Sequence, residues 1–147
     1  MCGDLCFGEG MAHVNDAKTV ARLLTTRGRW AVVGLSAKKW RAAYSISQLL
    51  QKRGMEIIPI HPAAEDVHGA KGYARLADVP GSIDVVDVFV RSELAGDIVD
   101  QAIAVGAKAV WLQLGVVDEA AAERAAEAGL DVVMDTCPAI EVSRLGL

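Results

Sequence analysis

The chain is predicted to fold as an α/β protein in which five parallel strands carry helices on both faces. Two observations predict it. First, a helical pattern, a single glycine, a residue or two and a short apolar run recur four times, around Gly28, Gly54, Gly106 and Gly129. Glycine just past a helix end takes the left-handed backbone that closes the helix and turns the chain into the next strand, so the repeat reads as helix–strand alternation and a parallel sheet. Second, the runs Ala31-Val32-Val33, Ile57-Ile58-Pro59-Ile60 and Asp131-Val132-Val133-Met134 lack strict apolar–polar alternation, as expected of strands covered on both faces.

Taken in order, residues 1–14 show no periodicity and are expected to form a flexible tail, with a single domain over 15–147. Asn15 or Asp16 can cap a helix whose apolar positions are Val20, Ala21, Leu23 and Leu24. The first strand is expected at Trp30–Leu35. It is followed by a short basic loop and a helix marked by Ala42, Ala43, Ile46, Leu49 and Leu50. Glu56–Ile60 is the second strand, a short helical turn falls near Ala74–Val79, and Val85–Phe89 is the third strand. Leu94, Ile98, Val99, Ala102 and Ile103 mark the next helix, and Ala109–Leu112 the fourth strand. The alanine-rich Glu119–Ala128, capped by Asp118, precedes the fifth strand at Asp131–Met134. Right-handed crossovers leave few topologies, of which the order 3-2-1-4-5 is the one expected.

At 147 residues the chain is long enough for one substantial core. With 52% hydrophobic and only 5% aromatic residues, that core should be aliphatic. No apolar run approaches the ~20 residues of a membrane span, and the N-terminus lacks the basic and apolar regions of a secretory signal. Three cysteines, Cys2, Cys6 and Cys137, suit reduced thiols in a cytoplasmic protein better than a disulfide framework. The net charge of −4 hides an asymmetry. Between Ala17 and Met55 stand nine basic residues and no acid, while all nineteen acids lie elsewhere. Lys18, Arg22 and Lys52 read as solvated helix faces. Lys38, Lys39 and Arg41 cluster where the first strand meets its helix, at the strand ends where open α/β sheets bind ligands and a helix start presents unpaired N–H groups. An anion site is expected there. A polyanionic nucleic acid would be repelled by the acidic remainder.

The dinucleotide fingerprint G-x-G-x-x-G is incomplete. Gly34-Leu35-Ser36-Ala37-Lys38-Lys39 keeps the first glycine and has serine and lysine at the other two positions, and His61-Pro62 stands where a ribose-binding acid would be. Ordinary NAD binding is disfavoured, and a ligand with more phosphate charge suits the loop better. Ser36-Ala37-Lys38-Lys39 matches S-x-x-K without its partner motifs. His13, His61 and His68 are scattered, with no metal-ligand spacing. Cys137 reads as a small buried hydrophobe and Asp87 as a hydrogen-bonded structural aspartate inside an apolar strand. Trp40 and Tyr44 could stack on a base or pack at the rim. No nucleophile, base and oxyanion donor assemble, so no enzymatic activity is expected of the chain alone.

Several segments together resemble the small stand-alone CoA-binding proteins, which are similar to the N-terminal CoA-binding domain of the succinyl-CoA ligase alpha subunit. They are Ala31–Ser36 with Arg41, Ile58–Pro62, Gly69 with Tyr73, Leu76–Pro80, Ile83–Phe89, Gly106–Gly115 and Asp135–Cys137. Ala109-Val110-Trp111-Leu112-Gln113-Leu114-Gly115 is the most specific. The resemblance covers about residues 19–145 and implies a Rossmann-like three-layer sandwich holding coenzyme A, or an acyl-CoA, across the strand ends. It points to Gly34, Leu35, Ser36, Ala37, Lys38 and Lys39 with Arg41 after the first strand, and to His61 and Pro62 after the second. Phe89, Val90 and Arg91 after the third strand and Leu112, Gln113 and Leu114 at the end of the fourth complete the expected site.

The ligase phosphohistidine and second domain have no counterpart, so the expected function is non-catalytic binding of a small CoA ligand by a cytoplasmic monomer or homodimer. The alternatives are an NAD(P)(H)-binding or nucleotide-sensing regulatory module, or a subunit of a partner-dependent acyl-CoA enzyme. Where the family has Asn-Pro-Lys this chain has His61-Pro62-Ala63, where it has Arg-Pro-Ser this has Arg41-Ala42-Ala43, and Thr136 stands where a basic residue is common. Two rim charges are therefore missing. At up to ~1 kcal/mol for an exposed ionic contact, that loss weakens CoA binding by about tenfold.

Overall fold

The computed structural model describes residues 14–147. The expected tail, with Cys2, Cys6 and His13, lies outside the described residues except for Val14, which packs against the core. The elements run α1 (Ala17–Thr25), β1 (Arg29–Val33), α2 (Ala42–Lys52), β2 (Glu56–Ile60), a 3-10 turn (Leu76–Asp78) and β3 (Val85–Val88). Then come α3 (Ser92–Ala104), β4 (Ala109–Leu112), α4 (Glu119–Glu127), β5 (Asp131–Met134) and α5 (Pro138–Leu145). The capping signals act as read: the Asp16 carboxylate accepts from the Thr19 amide at 3.0 Å and the Asp118 carboxylate from the Ala121 amide at 3.0 Å. Gly54, Gly106 and Gly129 take positive φ. Gly28 instead makes room for Asp84, whose carboxylate accepts from the Arg29 amide at 2.7 Å.

The sheet is five-stranded and all parallel, with helices on both faces, but its order is β2-β1-β3-β4-β5 rather than 3-2-1-4-5. Pro59 explains the difference. The Tyr73 amide donates to the Pro59 carbonyl at 2.9 Å from outside the sheet. A residue's N–H and C=O leave a strand on the same side, so the missing N–H of Pro59 also faces outward. Proline is tolerated in that position on an edge strand and would break a ladder in the interior. The order that was expected would have placed β2 inside. The all-buried Val85–Val88 takes the interior place beside β1 instead.

Two cores follow from strand alternation. On one face Val33, Ile60, Val86, Val88, Val110 and Leu112 meet α3, α4 and Leu76 of the 3-10 turn. On the other, Val32, Ile57, Val85, Val133 and the tilted Trp30–Trp111 pair, 5.7 Å apart, meet α1, α2 and α5. Cys137 is buried in the second core as expected of a small apolar side chain. Asp87 is fully buried at the position between Val32 and Trp111, yet neither carboxylate oxygen has a hydrogen-bond partner among the described residues. The expectation of a hydrogen-bonded aspartate is therefore corrected: burial raises its pKa well above the usual carboxylate value, and the neutral form lowers the cost of desolvation.

Both sheet edges are occupied. Outside β2, the His61 amide donates to the Tyr73 carbonyl at 3.0 Å. Outside β5, the turn residue Asn15 caps the edge with its backbone and side chain: its amide donates to the Val132 carbonyl at 3.1 Å, its Nδ2 to the Met134 carbonyl at 2.8 Å, and its Oδ1 accepts from the Met134 amide at 2.7 Å.

Candidate ligand-binding site

With the order 2-1-3-4-5, connections depart in opposite directions from β1 and β3, and the crevice between their carboxyl ends is the topological switch point. A cleft of about 590 Å3 opens there. Its floor is made where strands end and loops begin: the Phe89 amide donates to the Val33 carbonyl at 2.9 Å and the Gly34 amide to the Ile60 carbonyl at 2.8 Å. Gly34 has φ +102°, and a β-carbon on it would lie 3.1 Å from the Phe89 carbonyl oxygen. Only glycine lets β1 turn away so close to the neighbouring backbone.

Two helices begin at this crevice. At α2 the N-cap is Arg41, which makes no side-chain cap, and the first turn holds no acid. At α3 the N-cap is Arg91, again without a side-chain cap. Both starts leave N–H groups and the positive ends of helix dipoles without a capping side chain. Lys38, Lys39, Arg41 and Arg91 join none of the ion pairs found among the described residues, whereas Arg75 at the cleft edge is paired with Asp78 at 3.2 Å. The first turn of α3 does hold an acid, Glu93, so the start of α2, where Lys38 and Arg41 join no ion pair among the described residues, is the better suited to an anion.

Nine of the residues singled out in the sequence line this cleft: Gly34, Ser36, Lys38, Arg41, His61, Pro62, Phe89, Val90 and Arg91. Six do not. Leu35 is buried in the core against α2, and Leu112 is fully buried in the core on the opposite face. Gln113 is buried just past β4, its Oε1 without a partner among the described residues. Leu114 is 57% exposed on the following loop, and Ala37 and Lys39 are exposed on the basic loop. β4 is one strand removed from the switch point, which keeps its end out of the cleft. Trp40 also stands clear, 79% exposed.

The sequence reading missed the far wall. Ala74, Arg75 and Leu76 from the β2–β3 connection face Leu94, Asp97, Ile98 and Gln101 of α3 across the cleft. The signal was present as a second helical stripe. Leu94, Asp97, Ile98 and Gln101 recur at i, i+3, i+4 and i+7, beside the buried stripe Ala95, Val99 and Ala102. Gln101 Nε2 donates to Asp97 Oδ2 at 2.8 Å, and among the described residues Gln101 Oε1 has no donor. The cleft thus runs from a cationic mouth, over an apolar middle, to hydrogen-bond acceptors on α3.

Among the described residues no group of three or more His, Cys, Asp or Glu could hold a metal ion, and no helix is long and apolar enough to cross a membrane.

Fold and cleft define an α/β module of Rossmann type with a crevice lined by basic residues at its switch point. Residues 28–143 match the model of the CoA-binding domain, and the chain belongs to that family. It is 36% identical over 118 residues to the protein YneT of Bacillus subtilis (strain 168), covering 80% of this chain and 87% of that one. A hypothetical protein from Pyrococcus horikoshii OT3 superposes with a TM-score of 0.84 at 36% identity, covering 92% of this chain and 95% of the other. A dinucleotide-forming acetyl-coenzyme A synthetase from Ca. Korarchaeum cryptofilum matches with a TM-score of 0.68 at 25% identity. The match covers 79% of this chain and 28% of the synthetase.

Proposed function

We propose that the protein binds coenzyme A or an acyl-CoA in the cleft between the ends of β1 and β3, without catalysing a reaction on its own, as a cytoplasmic monomer or homodimer. The observation that carries the reading is the set of cations Lys38, Arg41 and Arg91, without an ion pair among the described residues, around two helix starts that lack a side-chain cap, in a chain whose residues 28–143 match the CoA-binding domain. The fit to the ligand is chemical. Coenzyme A carries a pyrophosphate and a 3′-phosphate, which suit the cationic mouth, and an adenine whose exocyclic amine suits the acceptors Asp97 and Gln101. The cleft volume falls in the range of small-molecule sites.

Calorimetric titration of the purified protein with CoA, dephospho-CoA and NAD⁺ at two salt concentrations tests this. CoA binding that weakens with salt and without the 3′-phosphate is the expected result. Preference for NAD⁺ would replace the reading with the dinucleotide-sensing alternative. Activity appearing only in a co-purified complex would replace it with the partner-dependent enzyme.

A further inference from the structure

The β2–β3 connection sends a carboxylate into the basic loop. Glu65 Oε1 accepts a hydrogen bond from the Ala37 N–H at 3.3 Å, the backbone donor between the cleft residues Ser36 and Lys38. No ion pair among the described residues joins Glu65 to a lysine or arginine. The partner of this carboxylate is the loop amide itself.

The backbone that carries Glu65 is held in place. A β-carbon on Gly72 would collide with the Glu65 carbonyl, so the connection doubles back on itself in a way only glycine permits. The Gly72 amide donates to Asp66 Oδ1 at 3.0 Å, and Val67 and Ala70 exchange backbone hydrogen bonds of 3.0 and 2.9 Å. His68 then fastens the connection to α2. Its ring lies 4.3 Å from that of Tyr44, its Nε2 is 2.8 Å from the Tyr44 carbonyl oxygen, and its own carbonyl accepts from Gln51 Nε2 at 3.0 Å. With the backbone anchored on both sides, the Glu65 side chain is the part free to swing.

Ala37 itself stands outside the cleft lining, but its amide lies on the loop between two residues that line it, Ser36 and Lys38. A phosphate at the mouth that takes this donor meets the Glu65 carboxylate, and two anions at one amide repel each other. We propose that Glu65 is an internal competitor at the anion site: it satisfies the Ala37 amide in the free protein and swings out when a phosphate group arrives. The residue thereby lowers the apparent affinity of every anion that needs this amide by the same factor, the fraction of protein in which the amide is free. This inference rests on the anion-binding part of the function proposed above.

The test follows the Ala37 amide resonance of the full chain by NMR while inorganic pyrophosphate is added, in the wild type, Glu65→Ala and Glu65→Gln. CoA is then titrated in parallel. Removing the carboxylate should move the Ala37 signal before any addition and lower the pyrophosphate concentration at half-saturation by about 2- to 5-fold, the span of one exposed charged contact. Equal half-saturation in all three proteins, or an Ala37 signal that pyrophosphate never moves, overturns the role of Glu65. If pyrophosphate moves Ala37 at the lower concentration in the variants but CoA leaves the cleft signals unmoved, the competitor role stands and the CoA assignment falls.

Discussion

The α-carbon of Gly34 faces the backbone of Phe89 so closely that any side-chain carbon would sit 3.1 Å from the Phe89 carbonyl oxygen. That contact joins the ends of the two strands that make the crevice. Gly34→Ala combines this crowding with a strained φ of +102° and should cost about 1–3 kcal/mol. Urea denaturation reads the loss, and ligand titration of the folded fraction should show a further fall in affinity as β1 and Phe89 are pushed apart.

The three cations at the mouth, which join no ion pair among the described residues, should act on binding rather than on folding. Lys38→Ala, Arg41→Ala and Arg91→Ala are each expected to weaken CoA by up to about fivefold, near 1 kcal/mol, and to flatten the dependence of affinity on salt. Their unfolding midpoints should stay close to the wild type. Arg124→Ala is the contrasting case. Its guanidinium is committed to Asp100 at 2.9 Å, away from the cleft, and CoA affinity should not change.

Lys38 and Lys39 also discriminate between parts of the ligand. If they meet the 3′-phosphate, the double alanine variant loses more affinity for CoA than for dephospho-CoA. Equal losses would assign them to the pyrophosphate instead.

Two buried carboxyls give opposite pH dependences. Burial pushes the Glu141 carboxyl up, but hydrogen bonds from Arg144, at 2.6 and 3.1 Å, and from the Thr136 hydroxyl at 2.6 Å outweigh it, so its pKa is lowered on folding. Its contribution is therefore fully present above the unfolded carboxylate value and is lost as pH falls through the lower folded value. Glu141→Gln should cost about 1–3 kcal/mol at neutral pH and flatten the acid limb of a stability–pH curve measured by urea denaturation.

Asp87 works the other way. With its folded pKa raised, stability is retained below the unfolded carboxylate value. It falls as pH rises toward the folded value, by up to about 1.4 kcal/mol per pH unit. Asp87→Asn should match the wild type in acid and exceed it near neutrality. A variant that loses stability equally at both pH values would show that the carboxyl is needed for packing rather than tolerated as a neutral group.

Much of this architecture was written in local signals. The glycines at 54, 106 and 129, the caps Asp16 and Asp118, and the two-face burial of the strands are set by neighbours in the chain, so the αβ alternation and the basic mouth at Lys38 and Arg41 were readable. The place of β3 is less legible, because crossover handedness leaves open which side of β1 receives it. Pro59 held the answer, since a strand with a missing amide belongs at an edge. The far wall of the cleft was hidden for a related reason. Leu94 and Ile98 are apolar, and by spacing alone they merge with the buried face of α3. No regular helix of the β2–β3 connection covers that side, so Leu94 is 48% exposed and lines the cleft beside Asp97 and Gln101. Asp87 could be located in sequence, but its lack of a partner depends on which side chains surround it in three dimensions.

The occupied sheet edges bear on how copies of this chain can assemble. Asn15 takes the outward carbonyl of Val132 and both outward groups of Met134, and Tyr73 takes the Pro59 carbonyl and the His61 amide. An added strand would have to evict one of these residues before it could pair. Self-association by continuing the sheet across two molecules, or by runaway strand addition, is thereby obstructed at both ends of the sheet. A dimer of this protein would have to be built from helix surfaces and loops, with each sheet complete within its own subunit.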